Sequence, residues 1–168
     1  MVDIVNSKEI SIYKDKIMKS IFNDYELIRL IDEAYVDTTT KTTLNAKNLV
    51  YKKIFPYYYN PESITETIAF VMMKIDTPRN KGELIKDMLI TIVCVSNQEI
   101  MKVPYGLGTR TDQMGACIDR LFNARDDLGF GYLELVSCYE GSLDNRHRFR
   151  ELKFKVDEFN ISRCNNER

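Results

Sequence analysis

Apolar side chains recur along this chain at two different periods, and the change from one to the other marks out its elements. Met114, Cys117, Ile118, Leu121 and Phe122 fall at i, i+3, i+4, i+7 and i+8, which at 3.6 residues per turn is one apolar stripe. Asp112, Asp119, Arg120 and Asn123 take the other side, so the spacing predicts an amphipathic helix over about residues 111–125. Thr109 or Thr111 can cap its start with a hydroxyl, and Asp112 in the first turn complements the positive end of the helix dipole. The same period runs through Ile10, Tyr13, Ile17 and Ile21, with lysines opposite, and predicts a first helix from Ser7 to about Phe22. Leu27, Ile28 and Ile31 continue it after Asn23-Asp24, with Asp24 as N-cap, so residues 1–35 read as a helical hairpin or a kinked pair.

Period two takes over in the second half. From Ser63 to Ile75, Ile68, Phe70 and Met72 share one face while Ala69, Val71, Met73 and Ile75 share the other. From Leu84 to Val95, Met88, Ile90, Ile92 and Cys94 oppose Leu89, Val93 and Val95. Asp76 to Gly82 reads as the turn between them. Phe130–Tyr139 gives a third strand and Arg148–Asp157 a fourth. In the fourth, Leu152, Phe154 and Val156 alternate with Glu151, Lys153, Lys155 and Asp157, which predicts a strand with one wet face at or near a sheet edge. The expected fold is therefore α+β, a mixed or antiparallel four-stranded sheet with one central covering helix. Two strands apolar on both faces need cover twice, and with three helices available one face is expected to be left for a neighbouring subunit.

The threonine-rich run from Val36 to Asn48 has neither period and reads, with the Pro56 to Pro61 segment, as an extended arm over residues 36–62. Three consecutive tyrosines, Tyr57, Tyr58 and Tyr59, cannot all point inward from an extended chain, which makes them candidates for a partner surface. The whole is expected to be one domain, 1–168, with sheet and covering helix over 63–160 and a tail, 161–168, that frays.

Composition narrows the function classes. At 44% hydrophobic and 29% charged residues the chain should bury a core. Its 24 Lys and Arg against 25 Asp and Glu leave a net charge of −1, which argues against nucleic acid as the main ligand. No apolar run approaches the roughly 20 residues that cross a bilayer, and Met1-Val-Asp-Ile-Val-Asn6 lacks the basic and apolar parts of a leader, so neither membrane insertion nor secretion is expected. Cys94, Cys117, Cys138 and Cys164 are far apart, with no C-x-x-C, and read as small buried hydrophobes in a reducing compartment.

Candidate chemistry is sparse. Gly106-Leu-Gly108 before a helix N-terminus raises a phosphate site, but the third glycine of G-x-G-x-x-G would have to be Thr111 and Asp112 occupies the anion's place. The one histidine, His147, lies among Arg146, Arg148 and Arg150 and reads as a solvated strand-end residue. The three arginines repeat along one side of a strand and could meet an acidic neighbour or a phosphate, with Glu134, Glu140 and Asp144 as local countercharges. Neither a zinc spacing nor a nucleophile motif is present, so no catalytic residue, cofactor or metal is expected.

Taken together, the order of elements and the stretch Gly108-Thr-Arg-Thr-Asp-Gln-Met-Gly-Ala-Cys-Ile-Asp-Arg-Leu-Phe-Asn123, followed by Gly131-Tyr-Leu-Glu-Leu135, resemble the tail-terminator and tail-completion proteins at the neck of tailed bacteriophages. The likeness covers roughly residues 48–160. It implies a non-enzymatic virion protein, assembled in the host cytoplasm, that forms a ring, commonly six-fold, at the tail end. Its partners would be its own copies, the tail tube protein and the head-side connector, with DNA passing through the lumen unbound. Tyr57, Tyr58, Tyr59, Arg146, Arg148 and Arg150 are then the interface candidates. The alternative is a protein-binding adaptor acting through Tyr57 to Tyr59.

Overall fold

The computed structural model describes residues 6–59, 66–80 and 85–159. The frayed tail expected at 161–168 lies outside them, as do residues 63–65 of the strand expected from Ser63 and 60–62 of the expected arm. Helix α1 runs Asn6–Asn23 and α2 Tyr25–Ile31. Asp24 separates them as foreseen, its carboxylate accepting the Leu27 N–H at 2.9 Å to start α2. Two short strands, β1 (Val36–Asp37) and β2 (Thr42–Thr43), pair antiparallel, and β3 (Ile54–Phe55) follows a 3-10 turn at Ala46–Leu49. Four strands complete the main sheet: β4 (Ala69–Asn80), β5 (Ile85–Asn97), β6 (Phe130–Ser142) and β7 (His147–Phe159). Helix α3 (Arg110–Phe122) lies between β5 and β6 in the chain.

The sheet order is β3-β4-β5-β7-β6, five strands rather than the four expected, and it is mixed because β3 runs parallel to β4 while the other pairs are antiparallel. The chain is α+β, but the four-stranded expectation is corrected by β3, which is too short to carry any period, and by the separate β1-β2 ladder. The fourth long strand, β7, is interior rather than at an edge; its partners are β5 and β6, and β6 forms the edge. The β4-β5 hairpin also runs into the turn expected at Asp76–Gly82, with strand pairing as far as Asn80 opposite Lys86.

Alternation sorts the strands as their side chains require. Ala69, Val71, Met73 and Ile75 join Met88, Ile90, Ile92 and Cys94, and with Leu152, Phe154 and Val156 they meet the helices in one core. Ile17 and Ile21 of α1, Leu27 and Ile28 of α2, and Met114, Ile118 and Phe122 of α3 fill it from the other side. Phe122 meets Phe154 edge-on with ring centroids 6.2 Å apart. Leu121, assigned to the same stripe, stays only partly buried at its flank.

The apolar part of the opposite sheet face is closed by the chain itself. Phe70, Met72, Val93 and Val95 are all at most 5% exposed, covered by Phe55, Tyr59, Ile68 and Phe149. A sister copy is therefore not needed to shield them, and the expectation that one would be is overturned. Much of the expected arm is folded onto the body too: Val36, Ala46, Leu49, Ile54 and Phe55 are buried.

Helix α3 is fixed at its start by a reciprocal cap. Thr109 Oγ1 accepts the Asp112 N–H at 3.2 Å, and Asp112 Oδ2 accepts the Thr109 N–H at 2.8 Å. Thr109→Ala should lower stability by about 1 kcal/mol. A shift of the denaturant midpoint at constant slope would register it, and an unmoved midpoint would show that the cap is idle.

Candidate interaction surface

The face of the sheet away from the helices divides into two parts. Toward one end the side chains pair as ions: Lys153 with Glu151 at 2.8 Å, Lys74 with Asp76 at 2.8 Å, and Lys155 with Asp87 at 3.8 Å. Toward the other lies the Phe55 cluster, because Pro56 ends β3 and turns the tyrosines back across the sheet.

The three tyrosines divide as a short extended run must. Tyr59 is inward, stacked on Phe55 at 4.3 Å and edge-on to Phe70 at 6.1 Å. Tyr57 and Tyr58 are 43% and 44% exposed. Tyr57 stacks on Tyr51 at 6.4 Å and Tyr58 donates its hydroxyl to Glu151 Oε2 at 3.3 Å, with Lys74 Nζ 5.1 Å above its ring. Burial first, then the Glu151 charge, pushes the Tyr58 hydroxyl up to about 12, so it stays a neutral donor. Beside it Tyr58, Tyr59, Met72, Val93, Leu143 and Phe149 line a shallow apolar hollow of about 300 Å³.

The arginines do not join this surface. Arg150 reaches the helix side, where it pairs with Asp112 and, at 2.9 Å, with Glu140, and passes over Gly115. A Cβ at Gly115 would come within 2.5 Å of Arg150 Cδ, so the glycine makes room for the guanidinium stem. Arg148 donates to the carbonyl of Asp144 at 3.0 Å and to Gln98 Oε1 at 3.4 Å. Arg146 is exposed and stands just before β7, with its carbonyl accepting the Gln98 N–H at 2.8 Å. The expected tyrosine and arginine candidates thus form two groups, with Arg150 on the far face of the sheet from the tyrosines.

His147 is not solvated, as the sequence reading had it, but 1% exposed. Asp144 holds it, accepting the His147 N–H at 2.7 Å and lying 2.8 Å from Nδ1. Cys94 and Cys117 are buried, and burial raises both thiols, Cys117 to about 11, so they are inert. Cys138 is exposed, against expectation, while Cys164 lies outside the described residues. Among the described residues no group of three or more His, Cys, Asp or Glu could hold a metal. Among them, too, no helix is long and apolar enough to cross a membrane.

What the residue patterns left unnoticed is that strand β6, rather than β7, stands at the sheet edge. Among the described residues no strand lies beyond it. The turn after α3 secures only its first part: Leu133 N–H donates to Arg125 O at 2.7 Å, Leu133 O accepts the Ala124 N–H at 2.9 Å, and Leu135 N–H reaches Asn123 Oδ1 at 3.4 Å. A register shift between Leu135 and Ser137 follows, and the remainder runs along the sheet edge. Tyr132 is 70% exposed and Tyr139 60%, with Val136 and Leu143 also open. Phe149 lies over Gly141 and against Tyr139 at 5.8 Å, so the tyrosine is propped outward from the sheet. A partial signal was present: Tyr132 and Val136 alternate with Leu133 and Leu135, on the opposite side of β6, whereas Tyr139 joins that side only through the register shift between Leu135 and Ser137.

No curated protein matches the chain. A family model described as YomW matches residues 24–156, from the N-cap of α2 to β7, and so takes in α3, the Tyr57–Tyr59 segment and all of β6. The chain belongs to the YomW family.

Proposed function

We propose that this protein is a non-enzymatic structural subunit that assembles with its own copies through the β6 edge, forming a ring at the neck or tail end of a tailed phage. The observation that carries this reading is the edge itself. The turn after α3 covers the first part of this edge, but past the register shift at Leu135–Ser137 it carries neither the lysine nor the proline that commonly protects exposed strands, and it presents Val136 and Tyr139. An edge of that kind is a template for another chain. The resemblance of the Gly108–Asn123 helix and Gly131–Leu135 strand to tail-terminator proteins supplies the location, and the family name is suggestive of a Bacillus phage-region gene. In this reading the tail tube and the head-side connector are the partners, and DNA passes through a lumen that does not grip it. The adaptor reading keeps one favourable observation, the half-exposed Tyr57 and Tyr58 beside the apolar hollow.

Light scattering and negative-stain images of the chain, alone and with isolated tail tubes, test the proposal. Rings or occupied tube ends are expected for the native chain, and neither for Val136→Lys with Tyr139→Lys, whose melting should stay within about 0.5 kcal/mol of native because both positions are exposed. Assembly by the double variant, or a native chain that never associates with itself or with tubes, would overturn it. Loss of partner capture in Tyr57→Ser with Tyr58→Ser alone would favour the adaptor.

A further inference from the structure

Leu107 is 92% exposed, the most open large apolar side chain among the described residues. Its exposure is held in place. Gly106 and Gly108 on either side both sit at φ +79°, a conformation that side chains rarely adopt. A Cβ at Gly106 would come within 2.6 Å of Gln113 Oε1, and one at Gly108 within 2.8 Å of Asp112 Oδ2. Gln113 Nε2 donates to Tyr105 O at 2.7 Å and Asp112 accepts the Thr109 N–H, so both ends of the knuckle are tied to the first turn of α3. The phosphate reading of these glycines does not account for them; they hold out a leucine.

At the foot of the knuckle is a hollow of about 570 Å³ between α2 and α3, which Leu107 itself helps to line. Tyr25, Leu30, Tyr105, Ala116 and Cys117 give it apolar walls. Tyr105 is fixed as a wall by the Arg29 guanidinium 3.6 Å above its ring and by its hydroxyl bond to Glu33 at 3.3 Å. Knob and hollow are thus contiguous on one surface and alike in chemistry. The same lining carries both signs of charge, Lys41 and Arg29 with Glu26. A two-fold axis sets such a surface against itself, and one that carries both signs can face its own copy without net repulsion.

We infer that this surface pairs two copies of the chain, the Leu107 of each entering the hollow of the other. The contact is isologous and closes a pair, whereas the β6 edge proposed above serves a ring. It does not rest on the ring reading.

Sedimentation equilibrium on the full chain over a range of concentrations tests it. The native chain should self-associate, and Leu107→Asp should weaken the pairing constant at least ten-fold. At concentrations low enough that both are single copies, melting of that variant should match the native chain, since the side chain touches solvent in the single copy. Val136→Lys with Tyr139→Lys should retain the pair. Equal association constants for the native chain and Leu107→Asp, or a native chain that is monomeric throughout, would overturn the inference. If the β6 variant loses association while Leu107→Asp keeps it, the pairing fails and the edge reading stands.

Discussion

Replacing Ile118 by Asp should abolish cooperative unfolding. The side chain is fully buried at the centre of the α3 stripe, with the helices on one side and the inner sheet face on the other. Its transfer from water contributes about 1.5–3 kcal/mol, all of which is lost. The carboxylate that replaces it would have to ionise without a cation at hand or take up a proton, and either course costs several kcal/mol more. The sum is comparable with the whole stability of a domain, about 5–15 kcal/mol. A circular-dichroism melt of Ile118→Asp should therefore show a sloping trace without a transition, while Leu121→Asp, at the half-buried flank, should still melt cooperatively at a lower temperature. A transition for Ile118→Asp within a few degrees of native would contradict the placement of α3 on the sheet.

That contrast shows what a periodic pattern tells and what it omits. Spacing identified Leu121 and Ile118 as members of one stripe, but their rank in burial depends on where the axis of α3 lies over β5 and β7, which is a tertiary fact. The same holds for the strands. Period two assigned Ala69, Val71, Met73 and Ile75 to one face and Phe70 and Met72 to the other, and the two clusters divide in that way. It could not order the strands: the wet alternation of Lys153 and Lys155 in β7 comes from the uncovered part of an open face, not from an edge. Strand β3 is two residues long and contributes pairing without period. The inference that a neighbour must cover the second face failed for a related reason. It counted helices as the only cover, whereas the aromatic rings of Phe55, Tyr59 and Phe149 close the patch. The exposed tyrosines of β6 were visible as letters, but their standing alone follows only once, among the described residues, no sixth strand joins the sheet.

Asp144→Ala should cost about 3 kcal/mol, because one carboxylate accepts three hydrogen bonds in the β6-β7 turn. It accepts the Arg146 N–H at 2.6 Å and the His147 N–H at 2.7 Å, and holds the buried imidazole through Nδ1 at 2.8 Å. Nε2 of His147 has no partner among the described residues, so removal of Asp144 leaves the imidazole without a partner at either ring nitrogen and takes the acceptor from two backbone donors. The hydrogen bond from His147, foremost, and those from the Arg146 and His147 backbones hold the Asp144 carboxyl down to about 2, against an ordinary 3.8. A carboxyl lowered in the folded state stabilises above its unfolded value and loses that contribution as pH falls through its folded one. The stability gap between the native chain and Asp144→Ala should thus be full above about pH 4 and should shrink progressively toward pH 2. Denaturant titrations at neutral pH and at points down that window measure it directly. A gap that stays constant to pH 2 would mean that the charge of Asp144 is not what holds the turn. Because this turn sets the register of β6 against β7, its loss should also scatter the orientation of Val136 and Tyr139. Assembly should then fail in Asp144→Ala at temperatures where the core is still folded.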